Sequence, residues 1–334
     1  MTQIPDTSVE HGGDLDRAIT RFGGPREAWI DLSTGINPVP YPVPPLEQAA
    51  WAALPDRQAV HRAEAAARVA YGLSETTACV AVAGAQAAIQ RMPQLAPPGP
   101  VCVIEPTYNE HARVMRAAGR DVLSARSLRD MPAHSKTLCL VSPNNPDGTC
   151  FKPEALLEVA GRVDLLVVDE SFMDPTPSDS LLGRSLPPNV LVLRSFGKFY
   201  GLAGLRLGFV CGAAPLMARL ASLTGPWSVS GPALEIGAQA LRDGDWAART
   251  RLRLQKDATR LDALLKARGA GLVGGTTLFR TYTVPDAAAV QAHLAQAQIW
   301  TRVFSFAPSW LRLGLPGSAS AWARLETALR SLAP

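Results

Sequence analysis

The stretch LVLRSFGKFYGLAGLRLGFV (residues 191–210) decides how the rest of the chain is organised. The apolar run at residues 190–193 predicts a buried strand, because an unbroken apolar run suits a strand covered on both faces. It gives way to Arg194-Ser195-Phe196-Gly197-Lys198, and Gly201, Gly204, Arg206 and Gly208 follow before a second apolar run. A hydroxyl, a flexible backbone and an amine thus arrive at the carboxyl end of a strand, the edge where open α/β sheets hold ligands. Lys198 alone is also compatible with a solvated loop lysine. The small residues crowded around it, and Arg206 soon after, weigh against that.

Further strand-like runs lie at residues 79–83, 101–105, 137–141, 165–168 and 207–211, separated by helical patterns. Such alternation predicts a mostly parallel sheet with helices on both faces. Residues 29–38 are a short strand entering a turn, residues 38–45 are Pro-rich and extended, and residues 46–54 and 57–71 are helical and Ala-rich. Beyond Pro232 the pattern predicts one long helix to about residue 268. A strand (276–284), a helix (286–298), strands at 299–305 and 311–315, and a last helix to residue 332 follow. The expected organisation is an N-terminal arm (1–45), a large domain (46–232) and a smaller C-terminal α/β domain (233–334).

At 334 residues the chain is long enough for a full α/β core, and 47% hydrophobic with 19% charged residues is a globular composition. The net charge of +4 comes without a Lys/Arg run, which argues against nucleic acid and suits a small anionic substrate. No signal peptide and no run of 18 apolar residues is present, so no membrane partner and a cytoplasmic location are expected. The five cysteines show no Cys-x-x-Cys spacing, and three in strand-like runs read as buried thiols of a reducing compartment. The histidines show no metal-pair spacing, so no metal is expected.

Each strand of the first domain delivers polar or small residues at its end. Gly84-Ala85-Gln86 opens a helix whose free N–H groups suit a phosphate, although an ordinary strand-to-helix turn looks the same. Tyr108 follows the next strand, and its flat ring would stack on a planar ligand or simply be half-buried. Asn145 sits in the turn-forming Asn144-Asn145-Pro146-Asp147-Gly148. Asp169 ends a buried run, where a carboxylate needs a cationic partner or its pKa rises. Arg312 lies between apolar neighbours, which is costly unless an internal acid or an anionic ligand pairs with it. Arg302 is a second cation for an anionic group.

Ser195-x-x-Lys198, followed by Gly201-x-x-Gly204-x-Arg206, resembles the lysine segment of fold-type I pyridoxal phosphate enzymes of the aminotransferase superfamily. Asn145-Pro146-x-Gly148 and Asp169 resemble two further motifs of that superfamily. The resemblance implies that Lys198 is the catalytic residue and carries pyridoxal 5′-phosphate as a Schiff base. Ser195, Arg206 and the turn Gly84-Ala85-Gln86 would hold its phosphate. Tyr108 would stack on the ring, Asn145 would bind the 3′-oxygen, and Asp169 would keep the ring nitrogen protonated. Arg312 would fork the substrate α-carboxylate. Three positions depart from the pattern: Ala85 replaces a hydroxyl or amide residue, Phe172 replaces a tyrosine, and Leu54-Pro55-Asp56 replaces Tyr-Pro-Asp.

The motif order, over roughly residues 30–315, is closest to the branch holding histidinol-phosphate aminotransferase and L-threonine-O-3-phosphate decarboxylase. His11-Gly12-Gly13, with Asp31-Leu32-Ser33-Thr34-Gly35-Ile36-Asn37-Pro38, resembles the decarboxylases, which serve cobalamin biosynthesis. That implies His11 on the substrate phosphate, Gly35 and Asn37 near its carboxylate, and a homodimer with the site at the interface. Decarboxylation and transamination differ in which bond at Cα stands perpendicular to the ring, a rotation set by how Arg312, Asn37, Arg302 and His11 hold the two anionic groups. A histidinol-phosphate-type aminotransferase remains the enzymic alternative. A non-enzymic binding module is the other, and the retained Lys198, Asp169, Asn145 and Arg206 argue against it.

Overall fold

The computed structural model describes residues 12–332; His11 lies outside the described residues. A two-residue strand, β1 (Ile30–Asp31), precedes seven that form one sheet: β2 (Thr77–Val82), β3 (Val101–Ile104), β4 (Val122–Ala125), β5 (Thr137–Val141), β6 (Leu165–Asp169), β7 (Val190–Ser195) and β8 (Gly208–Ala213). Five more follow: β9 (Gly271–Thr276), β10 (Phe279–Thr283), β11 (Ile299–Trp300), β12 (Arg302–Phe304) and β13 (Ala307–Gly314).

The large sheet has the order β2-β8-β7-β6-β5-β3-β4. Strands β3 to β7 run parallel, and β8 is antiparallel to both its neighbours. The expected mostly parallel α/β fold is therefore present. Continuous apolar runs form these strands because both faces are covered: Leu138, Leu140, Leu166, Val168, Val190 and Val192 pack into one core, and Cys139, Val167, Leu191 and Leu193 into the other. β4 was not anticipated; it is a short, half-buried edge strand with a weak apolar signal.

A second sheet, β12-β13-β10-β9, is antiparallel throughout. Three readings of this half need correction. The expected long helix is two, Gly231–Arg242 and Gly244–Lys266, because the Asp243 side chain accepts from Trp246 N–H and caps a new helix. The expected strand 276–284 holds β10, and it pairs in a hairpin with β9, a preceding strand that was not anticipated. The expected strand 299–305 divides into β11, which pairs with β1, and β12, which pairs with β13.

The N-terminal segment ties the two sheets together. Ile30 and Leu32 donate backbone bonds to Gln298 and Trp300, and Gly314 N–H bonds back to Leu32. Further on, Asn37 N–H bonds to the Lys198 carbonyl at 2.9 Å and Tyr41 N–H to that of Tyr200 at 2.8 Å. No helix among the described residues is long and apolar enough to cross a membrane.

Candidate active site

Parallel strands β5, β6 and β7 end along one edge, with Val141 beside Asp169 and Asp169 beside Leu193. Because β8 runs the other way, it begins at that same edge: Ser195 pairs with Gly208, and Gly208 with Val82. The Gly84 turn, Ser195 and Arg206 are thereby brought together from three separate parts of the chain. A Cβ on Gly208 would lie 2.6 Å from Ala85 N, so only glycine lets the turn sit this close. Gly84 has φ +79°, and a Cβ there would lie 2.7 Å from Arg206 Nη2. The guanidinium thus packs directly over the turn, beside N–H groups that a first helical turn leaves without partners.

This edge opens into a cavity of about 430 Å³. Gly35, Gly84, Ala85, Gln86, Tyr108, Asn145, Asp169, Ser195, Lys198, Arg206, Arg302 and Arg312 all line it, as does Gly12. Asn37 does not. Its amide donates to Phe199 O at 2.8 Å and its oxygen accepts from Arg253 and Val39 N–H, so both ends of the side chain are engaged in fixing the chain beside Lys198. Gly35 is required where it lies: a Cβ would come within 2.8 Å of both Phe172 and Phe279.

Asp169 is buried, and burial alone would push its carboxyl up. The His111 contact at 3.0 Å and donation from Ser171, with Ser171 N–H at 2.9 Å, more than offset this, and its pKa falls below the ordinary value. The reading from sequence missed His111. It stands in the first turn of a helix three positions after Tyr108, so it reaches Asp169 from above the sheet edge, and its Nδ1 has no partner among the described residues. Lys198 is the opposite case: burial first, then Arg312, lowers its pKa to about 8, against the pull of Asp169. Its Nζ lies 5.5 Å from the centre of the Phe172 ring. An amine held this way is partly neutral near physiological pH and nucleophilic.

Arg312 is 5% exposed and has no carboxylate partner among the described residues. One nitrogen donates to Asn145 Oδ1 and another to Ser33 O, and Nε is unpartnered. Burial, and then the charge of Arg302, disfavour its cation, with Asp31 opposing. A buried cation is costly unless an anion pairs with it. Asn145 is brought under Arg312 because Thr281 Oγ1, on β10, bonds Pro146 O at 2.5 Å.

An amine, a buried carboxylate held ionised, a guanidinium over a glycine turn and a cavity of ligand size form a donor set that fits pyridoxal phosphate: a cation and N–H groups for its phosphate, an anion for its ring nitrogen, and an amine for its aldehyde. A family model described as aminotransferase class I and II matches residues 46–330. The chain belongs to the family of class I and II aminotransferases, and its cofactor is pyridoxal 5′-phosphate. Within that family it is 44% identical to a threonine-phosphate decarboxylase from Sinorhizobium sp., over 96% of this chain and 97% of that one. It is 43% identical, over the same shares, to a threonine-phosphate decarboxylase from Pseudomonas aeruginosa. The structure of histidinol-phosphate aminotransferase from Sinorhizobium meliloti in complex with pyridoxal-5′-phosphate superposes with a TM-score of 0.79, covering 100% of this chain and 99% of that one at 18% identity.

Proposed function

We propose that this protein decarboxylates L-threonine O-3-phosphate to (R)-1-amino-2-propanol O-2-phosphate and CO2, and so serves cobalamin biosynthesis. The observation that carries the reading is the pair Arg302 and Arg312, two cations that line the same cavity as Lys198 and Asp169. The substrate has two anionic groups, a carboxylate and a phosphate, and two full-length relatives above 40% identity bear this name.

Bound pyridoxal phosphate supplies an electron sink conjugated to the substrate nitrogen. Lys198 would take its aldehyde carbon; Arg206, Ser195 and the Gly84-Ala85-Gln86 turn would hold its phosphate; Asp169 would pair with its ring nitrogen; Asn145 would bind its 3′-oxygen; and Tyr108 would cover its face. Arg312 takes the substrate carboxylate and Arg302 the phosphate, and their placement sets which bond at Cα is aligned for cleavage. The bond from Cα to the carboxylate breaks, CO2 leaves, and a proton takes its place on Cα. Lys198 Nζ delivers that proton to Cα. Phe172, which lines the cavity beside Lys198, is held edge-on by Phe279, with ring centres 5.0 Å apart.

The arm (1–45), large part (46–232) and C-terminal part (233–334) are taken as its functional divisions, His11 as a further phosphate contact, and the cytoplasm as its location. A homodimer is part of the reading, supported by Trp51, Leu54 and Trp227, each more than 60% exposed.

The test is to give the cofactor-loaded protein L-threonine O-3-phosphate, with and without 2-oxoglutarate, and to follow CO2 and glutamate. CO2 formed equally in both arms is expected. Glutamate without CO2 would overturn the reading and place the activity with the aminotransferases.

A further inference from the structure

Tyr108, Gln86 and Glu110 form a chain of hydrogen bonds whose direction is set by its last member. Glu110 is 3% exposed, and Arg113 grips it with Nε and Nη2, both at 2.6 Å. Gln86 Nε2 donates to the same carboxylate at 2.7 Å, and Gln90 Nε2 lies at 3.4 Å. An ion-paired carboxylate only accepts, so Gln86 must turn its NH2 group towards it. The Gln86 carbonyl oxygen is then left facing Tyr108, whose hydroxyl, 3.1 Å away, must donate. Burial first, then the Glu110 charge, raises the Tyr108 hydroxyl to about 12, so the donor proton stays in place. The ring itself lines the cavity, with the His111 ring edge-on at 6.2 Å.

We propose that Glu110 is a positioning residue which, through the Gln86 amide, holds the Tyr108 ring as a fixed wall of the cofactor cavity. The inference rests on the reading of Tyr108 as the wall against pyridoxal phosphate. A ring already held in place does not have to be ordered when the cofactor binds, so the stacking contact is realised in full. Arg113, 45% exposed at its side chain, acts on Glu110 from outside the cavity.

The experiment titrates cofactor-free protein with pyridoxal phosphate and follows its visible absorbance and its induced circular dichroism. Glu110→Ala should weaken binding about tenfold, the worth of one charge-assisted hydrogen bond, and reduce the dichroism per bound cofactor. Tyr108→Phe should do the same. The double variant should be no worse than either single one, because both remove one link. Glu110→Gln, which keeps an acceptor for the Gln86 amide, should bind like the wild type. If Glu110→Ala does not fold, Gln86→Leu cuts the same link and should show the same tenfold loss. Additive losses, or a Glu110→Ala or Gln86→Leu protein with lowered Tm but wild-type affinity and dichroism, would overturn the proposal alone. A wild-type protein that takes up no pyridoxal phosphate would overturn the cofactor reading and this inference with it.

Discussion

Arg302 and Arg312 are direct cross-strand partners, Arg302 on β12 opposite Arg312 on β13. Like charges facing one another across antiparallel strands are destabilising, and here the ring of Phe304 lies under both, 5.4 Å from the Arg302 guanidinium and 5.9 Å from that of Arg312. Arg312 has no carboxylate partner among the described residues, and an incoming anionic group would complete it.

Inorganic phosphate should therefore stabilise the cofactor-loaded protein, whose other phosphate site is already filled. A ligand that binds only the folded state at a hundred times its Kd adds about 2.7 kcal/mol. Thermal unfolding at rising phosphate should show a shift in Tm that shrinks in Arg302→Gln. Equal shifts in the two proteins would rule out Arg302 as an anion contact.

Arg312→Lys keeps the charge and loses the fork. A single ammonium that keeps the bonds to Asn145 and Ser33 has one N–H left for the carboxylate, so the two-pronged grip is lost. CO2 release should fall about 10- to 100-fold in kcat/KM, read by single-substrate kinetics. Unchanged kcat/KM would remove Arg312 from the carboxylate site.

Cofactor capture should depend on pH through Lys198. The amine attacks only when neutral, and its pKa is lowered to about 8. The rate of uptake by cofactor-free protein should rise with pH and level off above about 8, as stopped-flow absorbance would show. Lys198→Ala should form no covalent adduct and release no CO2.

His111→Ala should leave the Asp169 carboxylate buried with its main partner gone. Losing a hydrogen bond to a buried charged group costs about 2 kcal/mol, measured by urea unfolding of the cofactor-free protein at neutral pH. Asp169 has a lowered folded-state pKa, so its stabilising contribution is present above the ordinary carboxyl pKa and lost as pH falls through the folded one. The gap between wild type and variant should therefore narrow in acid. A gap that stays constant would show that His111 acts only by packing.

Gly84→Ala tests the close approach of Arg206. The positive φ and the 2.7 Å clash with the guanidinium should weaken cofactor binding about tenfold through strain and displacement. Wild-type affinity in this variant would mean the turn has room to spare.

The legible part of the site lay at strand ends. Lys198, Asp169, Asn145 and the Gly84 turn each follow an apolar run, and a parallel sheet must deliver such ends to one edge. His111 was not legible in that way, because it sits inside a helix and its partner is 58 residues away in sequence. The resemblance implied Asn37 near the substrate carboxylate, but its side chain does not line the cavity, and Arg253, 216 residues on, donates to its oxygen. The division of the C-terminal helix at Asp243-Gly244 was a capping signal that the continuous Ala/Leu/Arg pattern obscured.

The chain's local chemistry by itself determined the alternation of strand and helix, the buried strands, and the order of lysine, carboxylate and glycine turn, since these depend on periodicity and short-range backbone preference. Only the tertiary structure decided that β8 runs antiparallel and so brings Gly84 against Arg206, that His111 holds Asp169, and that Arg302 faces Arg312. These depend on register and on packing between distant segments, where a one-residue slip would turn every side chain of a strand to the other face.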